Sequence, residues 1–396
     1  MSTCETAGSA DTTSIKEYVS FDHMDLPDEL LRGIYGYGFE TPSYIQRRGI
    51  MPLKEGNDVF AQAQSGTGKT GTFLIGSLAR IEPTLKQVQV LVLGPTRELA
   101  EQICKVCTAL SKYMNNEKGI SVHCATGGSP LRDDIRAIEK GCQFLVGTPG
   151  RIYDLMSRNI LVSTHIKVVV LDEADQMLED RFKDQIGLIL ERGFPMTTRI
   201  GLFSATMGDD VKEVADKMLK NPVKILIQNK EVPLDGIKQF YVALDTESWK
   251  FDTLCDLYGQ LTISQALIYV NERKKAEILA EKMTQHGFPL LCIHGEMDDK
   301  ERKRRMAQFR DGQVRVLIST DMLARGIDVQ QVSLVINYEL PVEKENYIHR
   351  IGRAGRFGRK GTTINLIAPD DVSAKNNIEE HWSITMILLP KDLASI

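Results

Sequence analysis

Short runs of β-branched and leucine side chains alternate along the chain with longer segments of helical hydrophobic period. The first series of runs lies at residues 88–94, 143–148, 167–173, 199–206 and 223–227, and the second at 266–270, 289–294, 315–320, 334–340 and 363–368. These runs lack strict alternation of apolar and polar residues, so both faces of each strand are expected to be buried. The pattern predicts an α/β chain with two parallel sheets flanked by helices.

The two series of strands predict two α/β domains with a break between them. Charged residues, Pro233 and Gly236 interrupt the pattern near 228–236. We therefore expect a first domain at 18–228, a linker at 229–236 and a second domain at 237–396. Residues 1–17 are rich in Ser, Thr and Ala, which predicts a disordered N-terminal tail.

Composition excludes some classes of protein. The 396 residues carry 49 basic and 53 acidic side chains, and no apolar run approaches the ~18 residues of a membrane-spanning helix. The N-terminus lacks a basic stretch followed by an apolar one, and the seven cysteines have no regular spacing. We expect reduced thiols and a cytosolic or nuclear location. Basic residues nevertheless cluster at 300–315 and 349–361. The second cluster is typical of a loop that presents guanidinium groups.

The most specific local signal is AQSGTGKT at 63–70, which is typical of a phosphate-binding loop. Gly66 and Gly68 let backbone N–H groups turn toward phosphates, Lys69 reaches the terminal phosphates, and the Thr70 hydroxyl can ligate magnesium. Position 63 is Ala where the motif GxxxxGK[ST] has Gly, so a chance turn is the alternative. A helical pattern follows at once and favours the phosphate loop.

A second acidic motif, VVVLDEAD at 168–175, ends an apolar strand about 100 residues downstream. Asp172 there can hold magnesium through its water shell, and Glu173 can position and deprotonate an attacking water. Acidic residues after a strand are often only helix N-caps, and that interpretation would be preferred for the segment alone. Its pairing with the phosphate loop favours the catalytic one.

Four strings together, AQSGTGKT, DEAD, SAT (204–206) and HRIGRAGRFG (349–358), resemble the DEAD-box RNA helicases along nearly the whole chain. The resemblance implies two tandem RecA-like domains, ATP and Mg²⁺ as ligands, and RNA-stimulated ATP hydrolysis. It implies catalytic roles for Lys69, Glu173, Arg353 and Arg356, the two arginines acting as arginine fingers on the γ-phosphate. It places the nucleotide on Phe39, Gln46, Ser65, Gly66, Thr67, Gly68, Lys69, Thr70, Asp172, Asp328 and Phe357, where Gln46 reads the adenine edge, Phe39 stacks on the ring and Asp328 binds the ribose.

The resemblance also assigns residues to RNA and to communication between the domains. Contacts to the RNA backbone are implied for Pro95, Arg97, Gly127, Gly128, Thr148, Arg151, Arg302 and Thr320. Coupling of hydrolysis to closure is implied for Ser204, Thr206, Asp175 and His349. Because these motifs offer amides, hydroxyls and arginines with few aromatic residues, we expect little sequence preference.

Within the family, several strings resemble the translation-initiation helicases, among them IKQFYVALDTESWKFDTLCDLY and ARGIDVQQVSLVINYELP. The exon-junction paralogue shares strings of the WKFDTLCDLY type but resembles the segments 318–340 and 347–361 less well. This implies a cytoplasmic monomer that unwinds the 5′ region of mRNA, with a scaffold factor of the 4G type and an accessory factor of the 4B type as partners. An ATP-gated RNA clamp has the same motifs and stays the alternative. A DNA translocase is disfavoured because the family motifs point to RNA.

Two positions depart from the family pattern, and one cysteine pair has an alternative interpretation. Asn271–Glu272 stands where the family has Asn-Thr, and Asp299 stands where a Gln precedes Arg302 by three residues. A carboxylate facing RNA would repel phosphate. Cys104 and Cys107 form a CxxC pair inside a helical pattern, and we interpret them as buried thiols in preference to a zinc or redox site.

Overall fold

The computed structural model describes residues 15–63, 66–178, 180–206, 208–226, 237–260, 265–321, 332–354 and 361–390. The strands of its first half are β1 Val59–Gln62, β2 Val90–Leu93, β3 Val122–Ala125, β4 Phe144–Gly147, β5 Val168–Asp172, β6 Arg199–Ser204 and β7 Val223–Leu226. The helices of this half are α1 Asp28–Tyr37, α2 Tyr44–Glu55, α3 Lys69–Leu78, α4 Arg97–Leu110, α5 Leu131–Glu139, α6 Pro149–Ser157, α7 Ala174–Met177, α8 Asp180–Leu190 and α9 Asp209–Met218.

The second half repeats this alternation. Its strands are β8 Ile237–Ala243, β9 Ala266–Tyr269, β10 Leu291–Ile293, β11 Val316–Ser319, β12 Leu334–Asn337, β13 Gly361–Ile367 and β14 Ile387–Leu388. Its helices are α10 Trp249–Gln260, α11 Arg273–Gln285, α12 Asp299–Arg310, α13 Lys344–Ile351 and α14 Val372–Trp382.

The two sheets have the same topology. The first runs β3-β4-β2-β5-β6-β1-β7 and the second β10-β11-β9-β12-β13-β8-β14, with seven strands in each. Every strand pair is parallel, and adding seven to each label of the first order gives the second. The predicted fold of two parallel sheets flanked by helices is therefore confirmed.

Alternate residues of the central strands belong to two separate hydrophobic cores, one on each face of the sheet. On β2, Val90 and Val92 belong to one hydrophobic cluster, while Leu91 and Leu93 belong to another. On β9, Ile268 likewise packs on the opposite face from its neighbours Leu267 and Tyr269. Because side chains alternate across a strand, both faces of each sheet are covered by helices. This is why the sequence shows continuous apolar runs.

Sequence patterns predicted ten of the strands and missed β1, β3, β8 and β14. Strand β3 is mostly half-buried, and β8 and β14 lie toward one edge of the second sheet, where apolar runs are interrupted. Strand β1 is buried, but its apolar run is only three residues long, Val59 to Ala61.

The ends of the predicted domains are described only in part. Of the predicted tail, residues 15–17 are described: Ile15 packs against the first core and Glu17 pairs with Arg48. Residues 1–14 and the predicted linker 229–236 lie outside the described residues. In the part of the chain that is described, no helix is long and apolar enough to cross a membrane.

Candidate active site at the carboxyl ends of the strands

The phosphate loop follows the carboxyl end of β1 and leads into α3, as the sequence predicts. Gly66 and Gly68 have positive φ angles of 86° and 104°, and Gly68 is the residue before the helix. A Cβ at Gly68 would lie 2.5 Å from the Ser43 hydroxyl, so a side chain is excluded there both by backbone geometry and by space. Lys69 is the first residue of α3 and is 5% exposed. The helix N-terminus therefore offers N–H groups and an ammonium to an anion.

The acidic motif at the end of β5 lies beside this loop. Glu173 is buried with a positive φ of 54°, a strained conformation for a residue with a side chain, and its Oε2 is 3.9 Å from the Lys69 Nζ. Its backbone N–H donates to Asp172 Oδ1 at 3.0 Å. Glu173 precedes α7, but its side chain makes no capping hydrogen bond. The N-cap interpretation of this acidic pair is therefore wrong for Glu173.

The electrostatics of Asp172 fit a site for a hard cation. Burial raises the pKa of Asp172 to about 7, the charge of Glu173 acts in the same direction, and the Lys69 ammonium lowers it. A buried carboxylate in such a position is stabilised by a bound cation. Carboxylate and hydroxyl oxygens are the donors that Mg²⁺ prefers. The residues present, Asp172 with the Thr70 hydroxyl at the start of α3, thus fit the predicted metal.

The segment predicted to read adenine lies against the phosphate loop. Gln46 is buried, its Oε1 accepts the Ser43 N–H at 2.8 Å, and its Nε2 donates to the Gly68 carbonyl at 3.4 Å. This capping box starts α2. The Phe39 ring stacks on Phe21 with centroids 6.5 Å apart. Gln46 thus ties the predicted base-reading segment to the predicted phosphate loop.

The two halves meet at Asp175, the last residue of DEAD. Its Oδ2 accepts the Thr206 hydroxyl at 2.6 Å and lies 3.2 Å from Nε2 of His349, which is fully buried on α13. Its backbone N–H donates to the Ser204 hydroxyl at 3.3 Å. All four residues predicted for coupling therefore lie in one network that spans the halves.

The predicted arginine fingers are described only in part. Arg353 is buried, and its Nε donates to the His349 carbonyl at 3.1 Å. Ser65, Asp328, Arg356 and Phe357 lie outside the described residues. Their roles, like the finger role of Arg353, stay predictions.

A cleft of about 870 Å³ runs between the halves and gathers most of the residues predicted for RNA. Its walls include Pro95, Arg97, Gly127, Thr148, Arg151 and Arg302, but not Gly128 or Thr320. Gly127 lets the Arg97 guanidinium approach, since a Cβ there would lie 3.2 Å from its Nη2. The fold thus brings most of the residues that were predicted to contact RNA into one cleft.

The cleft also contains residues that sequence reasoning missed. They are Asp154, Gln176, Phe182, Gln185, Gly295 and Asn346. Gln176, Phe182 and Gln185 follow the DEAD motif on α7 and α8, and their spacing of six and three residues was the only available signal. Polar side chains on surface helices are too common for that signal to be used alone.

Ion pairs join α12 of the second half to α4 of the first. Arg302 Nε lies 2.8 Å from Glu98 Oε1 with both side chains largely buried, and Lys303 Nζ lies 2.5 Å from Glu101 Oε1 near the surface. Arg302 therefore lines the cleft while neutralising a carboxylate of the other half. Its predicted contact with RNA stays a prediction.

The two unusual positions and the cysteine pair have the following surroundings. Glu272, which stands in place of the family's Thr, is the N-cap residue of α11, and its side chain makes no capping hydrogen bond. Its neighbour Asn271 accepts from Arg350 Nη2 at 2.7 Å through Oδ1 and donates from Nδ2 to the Leu340 carbonyl at 2.9 Å. Asp299 starts α12, next to the N-cap Asp298. Burial raises the pKa of the Cys107 thiol well above its usual value. Among the described residues, the cluster able to hold a metal ion is Glu173, Asp175 and His349, without either cysteine of the CxxC pair.

Comparison with known families agrees with this arrangement. Residues 43–214 match the DEAD/DEAH box helicase family, and residues 249–358 match the helicase conserved C-terminal domain. The chain belongs to the DEAD/DEAH box helicase family. The resemblance inferred from the motifs is thereby confirmed.

Relatives cover almost the full length of this DEAD-box protein. It is 52% identical over 377 residues to the ATP-dependent RNA helicase eIF4A of Chaetomium globosum, covering 95% of this chain and 94% of the relative. Among solved structures, S. cerevisiae Dbp5 bound to RNA and ADP BeF3 superposes with a TM-score of 0.87 at 38% identity, covering 96% of this chain and 97% of that one.

A second Dbp5 structure is less similar to this DEAD-box protein. A single-substitution variant of S. cerevisiae Dbp5 bound to Nup159, a Gle1 variant, IP6 and ADP gives a TM-score of only 0.65 at 35% identity, covering 93% of this chain and 96% of that one. The structure described here is therefore more similar to the complex of Dbp5 with RNA and ADP BeF3 than to this second structure.

Proposed function

We propose that this DEAD-box protein is an ATP-dependent RNA helicase that locally unwinds RNA during translation initiation. The observation that carries the proposal is the contact of His349 with Asp175, two residues from Glu173. It joins the motif that contains the predicted water-activating carboxylate, Glu173, to the second half. ATP hydrolysis and closure of the cleft can therefore depend on each other. The 52% identity to eIF4A supports a role in initiation.

The chemistry assigned to the first half is hydrolysis of the γ-phosphate. Lys69 binds the terminal phosphates, and Glu173 orients a water and takes its proton. Thr70 and Asp172 would hold Mg²⁺, which when bound would neutralise phosphate charge. The 3.9 Å separation of Lys69 Nζ and Glu173 Oε2 supports this division, since both groups face one small volume.

Nucleotide choice is assigned to Gln46 and Phe39, and completion of the site to the second half. Gln46 pairs a donor and an acceptor with adenine, which favours ATP over GTP. Asp328 binds the ribose. Arg353 and Arg356 stabilise charge that develops on the γ-phosphate. Neither half alone then surrounds the phosphate, so turnover requires closure.

RNA binding is assigned to the cleft between the halves. Its arginines and backbone N–H groups suit sugar and phosphate, and Phe182 is the aromatic residue among the lining side chains described. Without several stacking platforms, sequence preference is expected to be low. Closure over ATP bends one strand in the cleft, and hydrolysis releases it.

Further features of the proposal rest on the likeness to the translation-initiation helicases. We place the boundary between the domains at 229–236, and the protein in the cytoplasm as a monomer. Its partners would be a scaffold factor of the 4G type, which would favour closure, and an accessory factor of the 4B type. Such partners act by differential affinity for the closed arrangement.

Two measurements on the purified protein test the proposal. ATP hydrolysis should be stimulated by single-stranded RNA and not by DNA of the same sequence, and a short RNA duplex should be unwound faster when the scaffold factor is added. Equal stimulation by DNA would favour a DNA translocase. Long retention of RNA with a partner, without unwinding, would favour an ATP-gated clamp.

A further inference from the structure

A buried carboxylate lies behind one of the arginines of the RNA cleft. Asp134 on α5 is only 1% exposed, and its Oδ2 forms an ion pair with Nη1 of Arg151. Its other oxygen, Oδ1, lies 2.7 Å from Nε2 of His123 on β3. Arg151 Nη2 also donates to the Ser129 carbonyl at 2.7 Å. Two of the three guanidinium nitrogens are therefore held by groups that do not line the cleft.

This arrangement holds Arg151 without competing for its outer face. The Arg151 side chain is 12% exposed and lines the cleft, whereas Asp134 is not among the lining residues. A guanidinium has five N–H donors in a rigid plane, so fixing Nη1 and Nη2 from one side orients the remaining donors. The Ser129 carbonyl belongs to the loop between β3 and α5, which also contains Gly127, so the same contacts also fix the arginine relative to that loop.

We propose that Asp134, supported by His123, is a positioning residue for RNA binding that holds the Arg151 guanidinium in the orientation a backbone phosphate requires. The inference rests on the proposed function, since the contact of Arg151 with RNA is part of that proposal. Asp134 itself touches no RNA. It acts by reducing the number of orientations that a long, flexible side chain must give up on binding.

The direction in which Asp134→Asn changes the affinity for RNA distinguishes a positioning role of Asp134 from a purely electrostatic one. Asp134→Asn removes a negative charge close to the bound phosphates, so electrostatics alone predicts tighter RNA binding. Positioning predicts weaker binding, because the asparagine amide accepts a weaker hydrogen bond than a carboxylate and can turn an N–H toward the arginine. The two explanations thus predict changes in opposite directions.

The experiment measures ATP hydrolysis by the full chain as a function of the concentration of a single-stranded RNA oligonucleotide. For Asp134→Asn we expect the RNA concentration giving half-maximal stimulation to rise about tenfold, with a much smaller fall in kcat. Asp134→Glu should recover most of the loss because it restores the charged acceptor. The matched control is Asp133→Asn, since Asp133 is half exposed, adjacent on the same helix, and 4.0 Å from Arg132. This control should leave RNA binding unchanged or slightly tighter.

Two further variants, Arg151→Ala and the double variant Asp134→Asn with Arg151→Ala, show whether a negative result contradicts this inference or the proposed function. If Arg151→Ala leaves RNA binding intact, the assignment of RNA to this part of the cleft is wrong. If Arg151→Ala weakens binding but Asp134→Asn does not, positioning is overturned. If Asp134→Asn weakens binding further in the Arg151→Ala background, Asp134 acts through something other than this arginine, and the proposal is also overturned. Equal affinity of the double variant and Arg151→Ala supports it.

Misfolding is the competing cause of a loss, because Asp134 is buried and ion-paired. Thermal melting of each variant addresses it. A loss of RNA binding in Asp134→Asn that Asp134→Glu does not recover, with both variants melting as the wild type does, contradicts the proposal. Recovery by glutamate with a wild-type melting temperature supports it.

Discussion

The ion pair between Lys303 and Glu101 should set how readily this DEAD-box protein closes. Lys303 lies on α12 and Glu101 on α4, so the 2.5 Å contact between Nζ and Oε1 joins the two halves. It can form only when the two halves lie as close together as they do here. Lys303→Glu replaces this attraction with repulsion between carboxylates and should therefore shift the protein toward open arrangements.

The structure sets the size of the effect. The two side chains are 58% and 34% exposed, and exposed pairs of this kind contribute about 0.2–1 kcal/mol. Two carboxylates about 4 Å apart in a water-like medium repel by about 1 kcal/mol. Reversal should thus disfavour closure by about 1–2 kcal/mol, which is roughly a 5- to 30-fold change in the closure equilibrium. The nearby Arg302–Glu98 pair is largely buried, so removing one partner there should cost more.

The assay compares the affinity for single-stranded RNA with and without a saturating non-hydrolysable ATP analogue. For Lys303→Glu we expect roughly 5- to 30-fold weaker binding with the analogue and a much smaller change without it, because only the closed form uses the pair. The double variant Glu101→Lys with Lys303→Glu restores the opposite charges and should recover the affinity. Raising the salt concentration should shrink the difference between the variants.

Lys300→Glu is the matched control, with the same charge change on the same helix. Lys300 is exposed and has no ion-pair partner among the residues that the structure describes. Equal losses for Lys300→Glu and Lys303→Glu would mean that general attraction to phosphate explains the result. A double variant no better than Lys303→Glu alone would refute the idea that this pair stabilises closure.

Four further substitutions test the active site. Glu173→Gln should keep ATP binding near normal and abolish turnover, since the amide cannot accept a proton; equal loss of both in binding and turnover assays would contradict this role. Gln46→Ala should relax the preference for ATP over GTP in competition binding and lower thermal stability by about 1 kcal/mol, because it removes half of the capping box that starts α2. Burial raises the pKa of Asp172 to about 7, far above its value of 3.8 in an unfolded chain, so the folded protein binds that proton more tightly and loses stability as pH rises from about 4 to 7. In EDTA, the melting temperature of Asp172→Asn relative to the wild type should therefore increase over this range, and a constant difference would show that the group does not titrate there. Arg353→Ala should slow turnover about 10³-fold or more and remove most of the mutual enhancement of ATP and RNA binding; full enhancement in titrations of the variant would return Arg353 to a structural role.

Sequence patterns succeeded where a property is carried by contiguous residues. The phosphate loop and the acidic motif each lie at the carboxyl end of a parallel strand, where the chain turns into a helix. Their glycines, hydroxyls and carboxylates are specified within eight residues. Edge strands such as β3 and β14 were missed because the side chains of β3 are mostly half-buried and those of β14 are exposed, so neither strand has the continuous apolar run of a buried strand.

Pairings between distant residues were decided by the tertiary structure. Asp175 and His349 are 174 residues apart, and the hydrogen bond between them depends on how the halves are placed. Asp134 is a second example of a pairing that the sequence does not reveal. In the sequence it is one of two adjacent aspartates on a helix. Only the packing of α5 near β3 and α6 buries Asp134 against Arg151 and His123 while leaving Asp133 exposed. The sequence by itself determined the fold class and the local chemistry, because strand burial and loop geometry are local. Which charges neutralise one another across the cleft depends on distances between elements that no local pattern encodes.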